Sequence, residues 1–149
     1  MKLSFDRVLA WPPADAWSYL TVPDKMNLWS EAHVSSSDAA ADVVGARRVV
    51  RVPAFGFRST LQEEVVVADR PSLFVYRVTG GGGLRNHRGT IALAPHEQGS
   101  ALSWSVEFEG IVPGLERILG AVLRPRLSRS LDKLVELSQG ASISAHLHA

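Results

Sequence analysis

The alternation of apolar and polar positions predicts a long helix near the C-terminus, preceded by strands. Between residues 114 and 138, apolar side chains recur three and four positions apart, the spacing of one helix face. They are Leu115, Ile118, Leu119, Val122, Leu123, Leu127, Leu131 and Leu134. Pro125 predicts a kink within the helix, and Gly140 stands where the helix is expected to end. This apolar face is wide and must be buried against a large partner surface. We therefore expect a curved antiparallel sheet to pack against the helix.

The rest of the chain has the two-residue period of strands, interrupted by two short helices. Leu3 and Phe5 alternate with polar neighbours in a first strand. Pro13 begins a short helix that faces Trp17 and Leu20 inward, and a second helix is predicted over 25–29. Residues 35–42 carry little strand pattern, and further strands are predicted over 43–52, 57–68, 73–79, 84–94 and 101–110. This order predicts an α+β fold.

The composition narrows the class of protein. The 149 residues predict one domain over 1–140 and a flexible tail over 141–149. Sixteen basic and fifteen acidic residues give a net charge of +1, and no basic stripe predicts nucleic-acid binding. The sequence has no cysteine, which excludes disulfides, thiol catalysis and Cys-ligated zinc. No apolar run reaches the ~20 residues of a membrane span. The N-terminus has no signal-peptide pattern, so we expect a cytoplasmic protein.

Several segments, in order along nearly the whole chain, carry a family resemblance. They are WPPADAW at 11–17 with Trp29 downstream, EEVV at 63–66, DRP at 69–71, HRGTIALAP at 87–95, GSALSW at 99–104 and the terminal helix. With them the chain resembles the polyketide cyclase/dehydrase branch of the SRPBCC (START-like, birch-pollen-allergen-like) superfamily. The resemblance implies a helix-grip fold, in which about seven antiparallel strands curl around the C-terminal helix and enclose a mainly apolar cavity. The superfamily includes lipid carriers, hormone receptors, cyclases and chaperone activators, so the fold does not specify an activity.

Strand alternation predicts which polar side chains face this cavity. Leu61 and Val65, together with Val67, place Glu63 inward, and Ile91 and Leu93 place His87 inward, with Arg85 on the same side if no bulge intervenes. Glu63 and His87 are the candidate acid/base residues. The candidate ligand-binding residues are Trp29, Arg48, Tyr76, Arg85, Trp104, Leu119 and Leu123.

Each candidate has a simpler interpretation. A one-residue change of register would place Glu64 inside instead of Glu63, or Glu63 could form a structural ion pair with an inward arginine. His87 could be an exposed rim residue, Tyr76 a core residue, and the tryptophans packing residues. The glycines at 80–83 predict a hairpin tip, which we interpret as a mobile gate at the cavity mouth.

The sequence favours a binding protein for a hydrophobic, aromatic or polyketide-like small molecule. One alternative is a cyclase or dehydratase using Glu63 and His87, and another is a protein-interaction module of the chaperone-activator or ribosome-associated-toxin type. His146 and His148 lack a third metal ligand, and the glycines at 80–83 lack the phosphate-loop ending. We therefore predict neither a metal nor a cofactor. The sequence leaves the oligomeric state open, a homodimer included.

Overall fold

The computed structural model describes residues 1–36, 38, 40–54 and 57–147, with side chains outside 54, 57–58 and 141–147. Its elements, in chain order, are β1 (Lys2–Leu9), α1 (Pro13–Thr21), α2 (Pro23–Met26), β2 (His33–Ser35), β3 (Arg47–Ala54), β4 (Phe57–Asp69), β5 (Leu73–Gly81), β6 (Leu84–His96), β7 (Gly99–Gly110) and α3 (Leu115–Leu147).

The seven strands form one antiparallel sheet in the order β1-β7-β6-β5-β4-β3-β2. The long helix α3 packs against β1 and β7, while α1 packs against β6 and β7. This is the predicted α+β helix-grip architecture, with the sheet curled around the C-terminal helix. In the part of the chain that the structure describes, no helix has the length and hydropathy needed to cross a bilayer.

Helix α3 buries a narrower face than the sequence predicted. Leu131 and Leu134 are fully buried, and Leu119 lies at the edge of the core. Ile118, in contrast, is 55% exposed, so its predicted place on the buried face is wrong. Successive helical residues are about 100° apart around the axis, and the stripe through Leu119 and Leu123 therefore turns Ile118 towards solvent.

The predicted helix end is also wrong, because α3 continues through Gly140 to Leu147. Pro125 lies inside this helix, and the predicted kink there stays a prediction. Residues 148 and 149 lie outside the described part of the chain. The flexibility of 141–149 likewise stays a prediction.

Four other features differ from the sequence pattern. The second helix is confined to Pro23–Met26, and the short edge strand β2 precedes the serine- and alanine-rich segment. Strand β3 begins at Arg47 because Gly45, at φ 88°, turns the backbone before it. The β5–β6 hairpin turns at Gly82 and Gly83 alone, with φ of 73° and 70°. Two adjacent positive φ values are what a tight type I′ hairpin requires, and glycine supplies them without strain.

A pair of truncations in α3 tests this packing. Leu134→Ala should lower the free energy of unfolding by about 2–5 kcal/mol, because it removes a fully buried side chain and leaves a cavity. The matched change Ile118→Ala, on the exposed face, should alter it by no more than about 0.5 kcal/mol. Urea denaturation of both variants measures the difference. Equal small effects would contradict this placement of α3.

Candidate ligand-binding cavity

A cavity of about 120 Å³ lies between the inner face of the sheet and α3. Strands β3 to β7 form its floor, and the segment after α2 and one side of α3 form its roof. Most of its lining is apolar: Met26, Ala32, Val34, Val50, Val52, Pro53, Leu61, Leu84, Trp104, Val106, Phe108, Leu123 and Leu127. The polar lining consists of Ser30, Glu31, Arg48, Glu63, Tyr76, His87, Arg126 and Ser130.

A buried ion pair joins β3 to β4 in the cavity wall. Arg48 and Glu63 are direct register partners, and Arg48 Nε donates to Glu63 Oε1 at 2.9 Å. Their side chains are only 3% and 7% exposed. Glu63 therefore faces inward as predicted, and the pairing with an inward arginine is the alternative that the sequence left open. Burial raises the pKa of Glu63, while the charge and hydrogen bond of Arg48 oppose that rise.

Aromatic rings complete the environment of this arginine. The Arg48 Cζ atom lies 4.8 Å from the ring centroid of Tyr76 and 5.3 Å from that of Phe74. A guanidinium over an aromatic face gains electrostatic attraction from the ring. Removing two charges from water is costly, and the hydrogen bond and the two rings together offset part of that cost.

Tyr76 is fixed by a neighbour on each side. Its hydroxyl accepts a hydrogen bond from Trp104 Nε1 at 3.0 Å. Its ring lies on the backbone of Gly89, its register partner on β6, where a Cβ atom would overlap the ring. Glycine at position 89 thus allows the tyrosine to lie flat against the sheet. Burial, and to a lesser extent the charge of Glu63, raises the pKa of Tyr76, so the hydroxyl is neutral at physiological pH.

A bulge in β6 decides which of its side chains enter the cavity. Arg85 pairs with Glu109 and Arg88 with Glu107, so β6 has one residue more than β7 between these pairs. Asn86, at φ 52°, lies in this bulge. The extra residue reverses the alternation, and Arg85 points outward to Glu109, with 3.8 Å between Nη2 and Oε2. The prediction of an inward Arg85 assumed no bulge and is therefore wrong.

His87 lies on the cavity side of this bulge. It is 8% exposed, and its ring centroid is 5.7 Å from that of Tyr76. Its Nδ1 atom is buried and has no hydrogen-bond partner among the described residues. Burial, assisted by the charge of Arg48, lowers the pKa of His87 to about 4. The imidazole is therefore neutral at physiological pH, with one nitrogen as a donor and the other as an acceptor.

A second ion pair, at the cavity mouth, was missed by the sequence analysis. Arg126 Nη1 on α3 donates to Glu31 Oε1 at 2.6 Å, and the Glu31 N–H donates to Ser130 Oγ at 3.1 Å. Arg126 is 30% exposed and lines the cavity. The four-residue spacing of Arg126 and Ser130 places them on one helix face, and this was the signal available in the sequence.

Six of the nine predicted site residues line the cavity: Arg48, Glu63, Tyr76, His87, Trp104 and Leu123. Besides Arg85, Trp29 and Leu119 do not. Trp29 is buried behind the wall, where its Nε1 donates to the Tyr19 carbonyl at 2.7 Å and its ring meets Trp104 edge-on at 6.2 Å. Leu119 belongs to the hydrophobic core.

Metal-ligating side chains do not cluster in the part of the chain that the structure describes. Among the described residues, no three His, Asp or Glu side chains lie close enough to hold a metal ion. The side chains of His146 and His148 lie outside the described set.

The lowered pKa of His87 predicts a pH dependence of stability. The unfolded state binds a proton near pH 6.5 and the folded state only near pH 4, so acidification between these values favours unfolding. By pH 5 the wild-type protein should lose about 2 kcal/mol of its stability at pH 8 through this one group. His87→Gln should not show this loss, and the exposed control His33→Gln should show it in full. Urea denaturation against pH measures it, and parallel curves for the wild type and His87→Gln would contradict the buried neutral imidazole.

A family model and several solved structures match this chain. The family model for polyketide cyclase / dehydrase and lipid transport matches residues 1–139. No curated protein matches the sequence. Among solved structures, protein TTHA0849 from Thermus thermophilus is similar with a TM-score of 0.77 and 15% identity, covering 95% of this chain and 99% of that one.

Protein CV1439 from Chromobacterium violaceum has a TM-score of 0.66 and 22% identity, covering 92% of this chain and 96% of that one. Protein Ms6760 from Mycobacterium smegmatis has a TM-score of 0.72 and 14% identity, covering 91% of this chain and 89% of that one. At these identities the solved structures show the fold alone, whereas the family model matches almost the whole sequence. The chain therefore belongs to the polyketide cyclase/dehydrase and lipid transport family, which is part of the SRPBCC superfamily.

Proposed function

We propose that this protein binds a hydrophobic, aromatic or polyketide-like small molecule in the cavity between the sheet and α3. The observation that carries the proposal is a mainly apolar cavity into which a few polar groups converge: the Arg48–Glu63 pair, Tyr76 and His87. Small-molecule sites have this composition, because apolar walls supply affinity and a few polar groups fix orientation. Lipid transport in the family description agrees with a carrier.

The mouth of the cavity offers a route for the ligand. Glu31 and Arg126 are the charged pair there, with side chains 41% and 30% exposed. Exposed ion pairs contribute only about 0–1 kcal/mol, so separating this pair costs little. Moving the Glu31 segment from α3 would also break the hydrogen bond from the Glu31 N–H to Ser130 Oγ. The hairpin at Gly82 and Gly83, predicted as the gate, remains a second candidate entrance.

A cavity-filling variant tests the proposed binding. Toluene, an uncharged single ring, should raise the melting temperature of the wild-type protein by mass action. Leu123→Trp places a large ring in the cavity and should abolish this rise, whereas Ile118→Trp, on the exposed face of the same helix, should retain it. Thermal denaturation at increasing toluene concentration measures the effect.

The same experiment can contradict the proposal. If toluene stabilises Leu123→Trp as much as the wild type, it binds elsewhere. Native mass spectrometry of freshly purified protein complements the titration, because a retained ligand would be weighed directly. A wild-type protein that carries no added mass and is not stabilised by any single-ring compound would contradict the binding function.

An enzymatic function is the second candidate, and one observation favours it. Two titratable groups line the same cavity with pKa values displaced in opposite directions, upward for Glu63 and downward for His87. Such pairs commonly divide the acid and base roles in active sites. In a cyclisation or dehydration, Glu63 would act as the general acid and neutral His87 as the general base. Glu63 would first have to take up a proton, which its pairing with Arg48 opposes. Binding remains the leading proposal because Arg48 already holds one oxygen of Glu63.

Paired variants separate the two functions. If the protein is a cyclase or dehydratase, Glu63→Gln and His87→Ala should each lower turnover of a polyketide-like substrate by about 10²–10⁴-fold. Affinity should stay within about tenfold, since acid–base catalysis acts on the transition state. Glu64→Gln, on the outer face beside Arg77, is the matched control. A substrate panel followed by mass spectrometry gives the answer, and no conversion by the wild type, with altered binding in the variants, would exclude this chemistry for the panel.

A further inference from the structure

We propose that the first half of α3 and the loop before it form a docking face for a membrane surface rich in anionic phospholipids. This inference goes beyond the proposed binding function and does not depend on it, because no side chain of the face lines the cavity. All members of the face are exposed. The apolar members are Ile111, Val112, Ile118, Ala121 and Pro125, and the basic members are Arg117, Arg124 and Arg129.

An apolar strip runs along the solvent side of α3. Successive helical residues are about 100° apart, so Ile118, Ala121 and Pro125 lie within about 60° of one another around the axis. They are on the side opposite the fully buried Leu134. The strip therefore adds nothing to the packing of α3 on the sheet, and its apolar surface is in contact with water.

The loop between β7 and α3 adds two larger apolar side chains to this surface. Ile111 and Val112 are 58% and 53% exposed. The backbone of the loop is nevertheless held in place, because the Ile111 N–H donates to the Gly83 carbonyl at 3.1 Å. Large apolar side chains that are exposed together in an ordered segment mark an interaction surface.

Arginines border the apolar strip on both sides. Arg117 and Arg124 are seven residues apart and follow one edge, while Arg129 lies beyond the other edge. None of the three forms an ion pair with a residue that the structure describes. No acidic residue occurs between Glu116 and Asp132. The positive charge is thus local, in a protein whose net charge is only +1.

An anionic bilayer matches both parts of this face. Helices that lie on a membrane insert apolar side chains at the boundary of the acyl chains, and the basic residues beside them attract acidic headgroups. A nucleic acid would contact the arginines and leave the apolar side chains in water. Arg126, which pairs with Glu31 at the cavity mouth, lies between Arg124 and Arg129 in the helix. Docking would therefore bring the mouth close to the lipid.

Cosedimentation of the full chain with large unilamellar vesicles tests the inference. One set of vesicles contains phosphatidylcholine alone, and in the other about one third of it is replaced by phosphatidylserine. The protein should bind the phosphatidylserine vesicles at least about tenfold more tightly, since each arginine near such a surface contributes about fivefold. The difference should shrink as the salt concentration is raised, because salt screens exposed charges.

Two pairs of variants assign the binding to this face. The double variant Arg117→Gln/Arg124→Gln should bind phosphatidylserine vesicles about 25-fold more weakly. Arg70→Gln/Arg88→Gln removes the same charge from exposed positions elsewhere and should bind as the wild type does.

The second pair tests the apolar contact. Ile111→Ser should weaken binding about tenfold, because the serine gains little from entering the lipid. Val44→Ser, at another exposed apolar position, should have no effect. All of these positions are exposed, so the melting temperatures should match that of the wild type.

The outcomes that would overturn the inference differ from those that bear on the cavity. Wild-type protein that does not bind phosphatidylserine vesicles would contradict membrane docking and leave the toluene test of the cavity unaffected. Equal losses in the two double variants would show an effect of net charge alone, and this face would not be the site. A DNA duplex that binds more tightly than the vesicles, and equally well to Ile111→Ser, would identify a nucleic-acid surface instead.

Discussion

The ion pair between Arg48 and Glu63 constrains the cavity more than any other contact. The two side chains are buried in a mainly apolar wall, and each charge is tolerable only in the presence of the other. The two residues face each other directly across β3 and β4, so a register shift of one residue would leave their side chains on opposite faces of the sheet. The pair therefore stabilises one register of the sheet at the place where the cavity must be shaped. It also provides the positive charge against which the rings of Tyr76 and Phe74 pack.

Around that pair the cavity combines features of a carrier and of a catalyst. Apolar walls are typical of a site for a hydrophobic occupant. Acid–base catalysis uses carboxyl and imidazole groups such as those of Glu63 and His87. Arg48, however, holds the Glu63 carboxyl group in an ion pair, and burial keeps the His87 imidazole neutral. Binding uses these groups as they are, whereas catalysis would require at least one of them to exchange a proton. This difference is the physical reason for preferring a binding function.

Much of this fold could be predicted from the sequence, because period and alternation are properties of single elements. The two-residue pattern identified six of the seven strands, and it placed Glu63 and His87 on the inner face. The errors arose where one element meets another. The bulges displaced Arg85 and also Val67, which was predicted to face inward but lies opposite Val75 on the outer face after a shift in β4. A bulge adds one residue that reverses which side chains of a strand face inward, and the amino-acid composition does not indicate where it occurs.

Contacts between segments that are far apart in the chain could not be predicted from the sequence, for a similar reason. The pairing of Glu31 with Arg126 joins residues 95 positions apart, and no local pattern brings them together. Trp29 and Leu119 were sensible candidates as large apolar residues in the right region. Whether such a residue lies in a wall or behind it depends on packing in three dimensions. The roles of the six residues that do line the cavity stay predictions.

The bulge in β6 has a consequence for how this protein can vary. The extra residue lies between Leu84 and His87, the two cavity-lining residues that β6 contributes. A chain without Asn86 would restore regular alternation, with Arg85 still outside and His87 still inside. Closing the bulge at unchanged length would instead turn Arg85 inward and add an unbalanced positive charge. The bulge therefore allows Leu84 and His87, three positions apart, to face the same cavity while Arg85 stays outside.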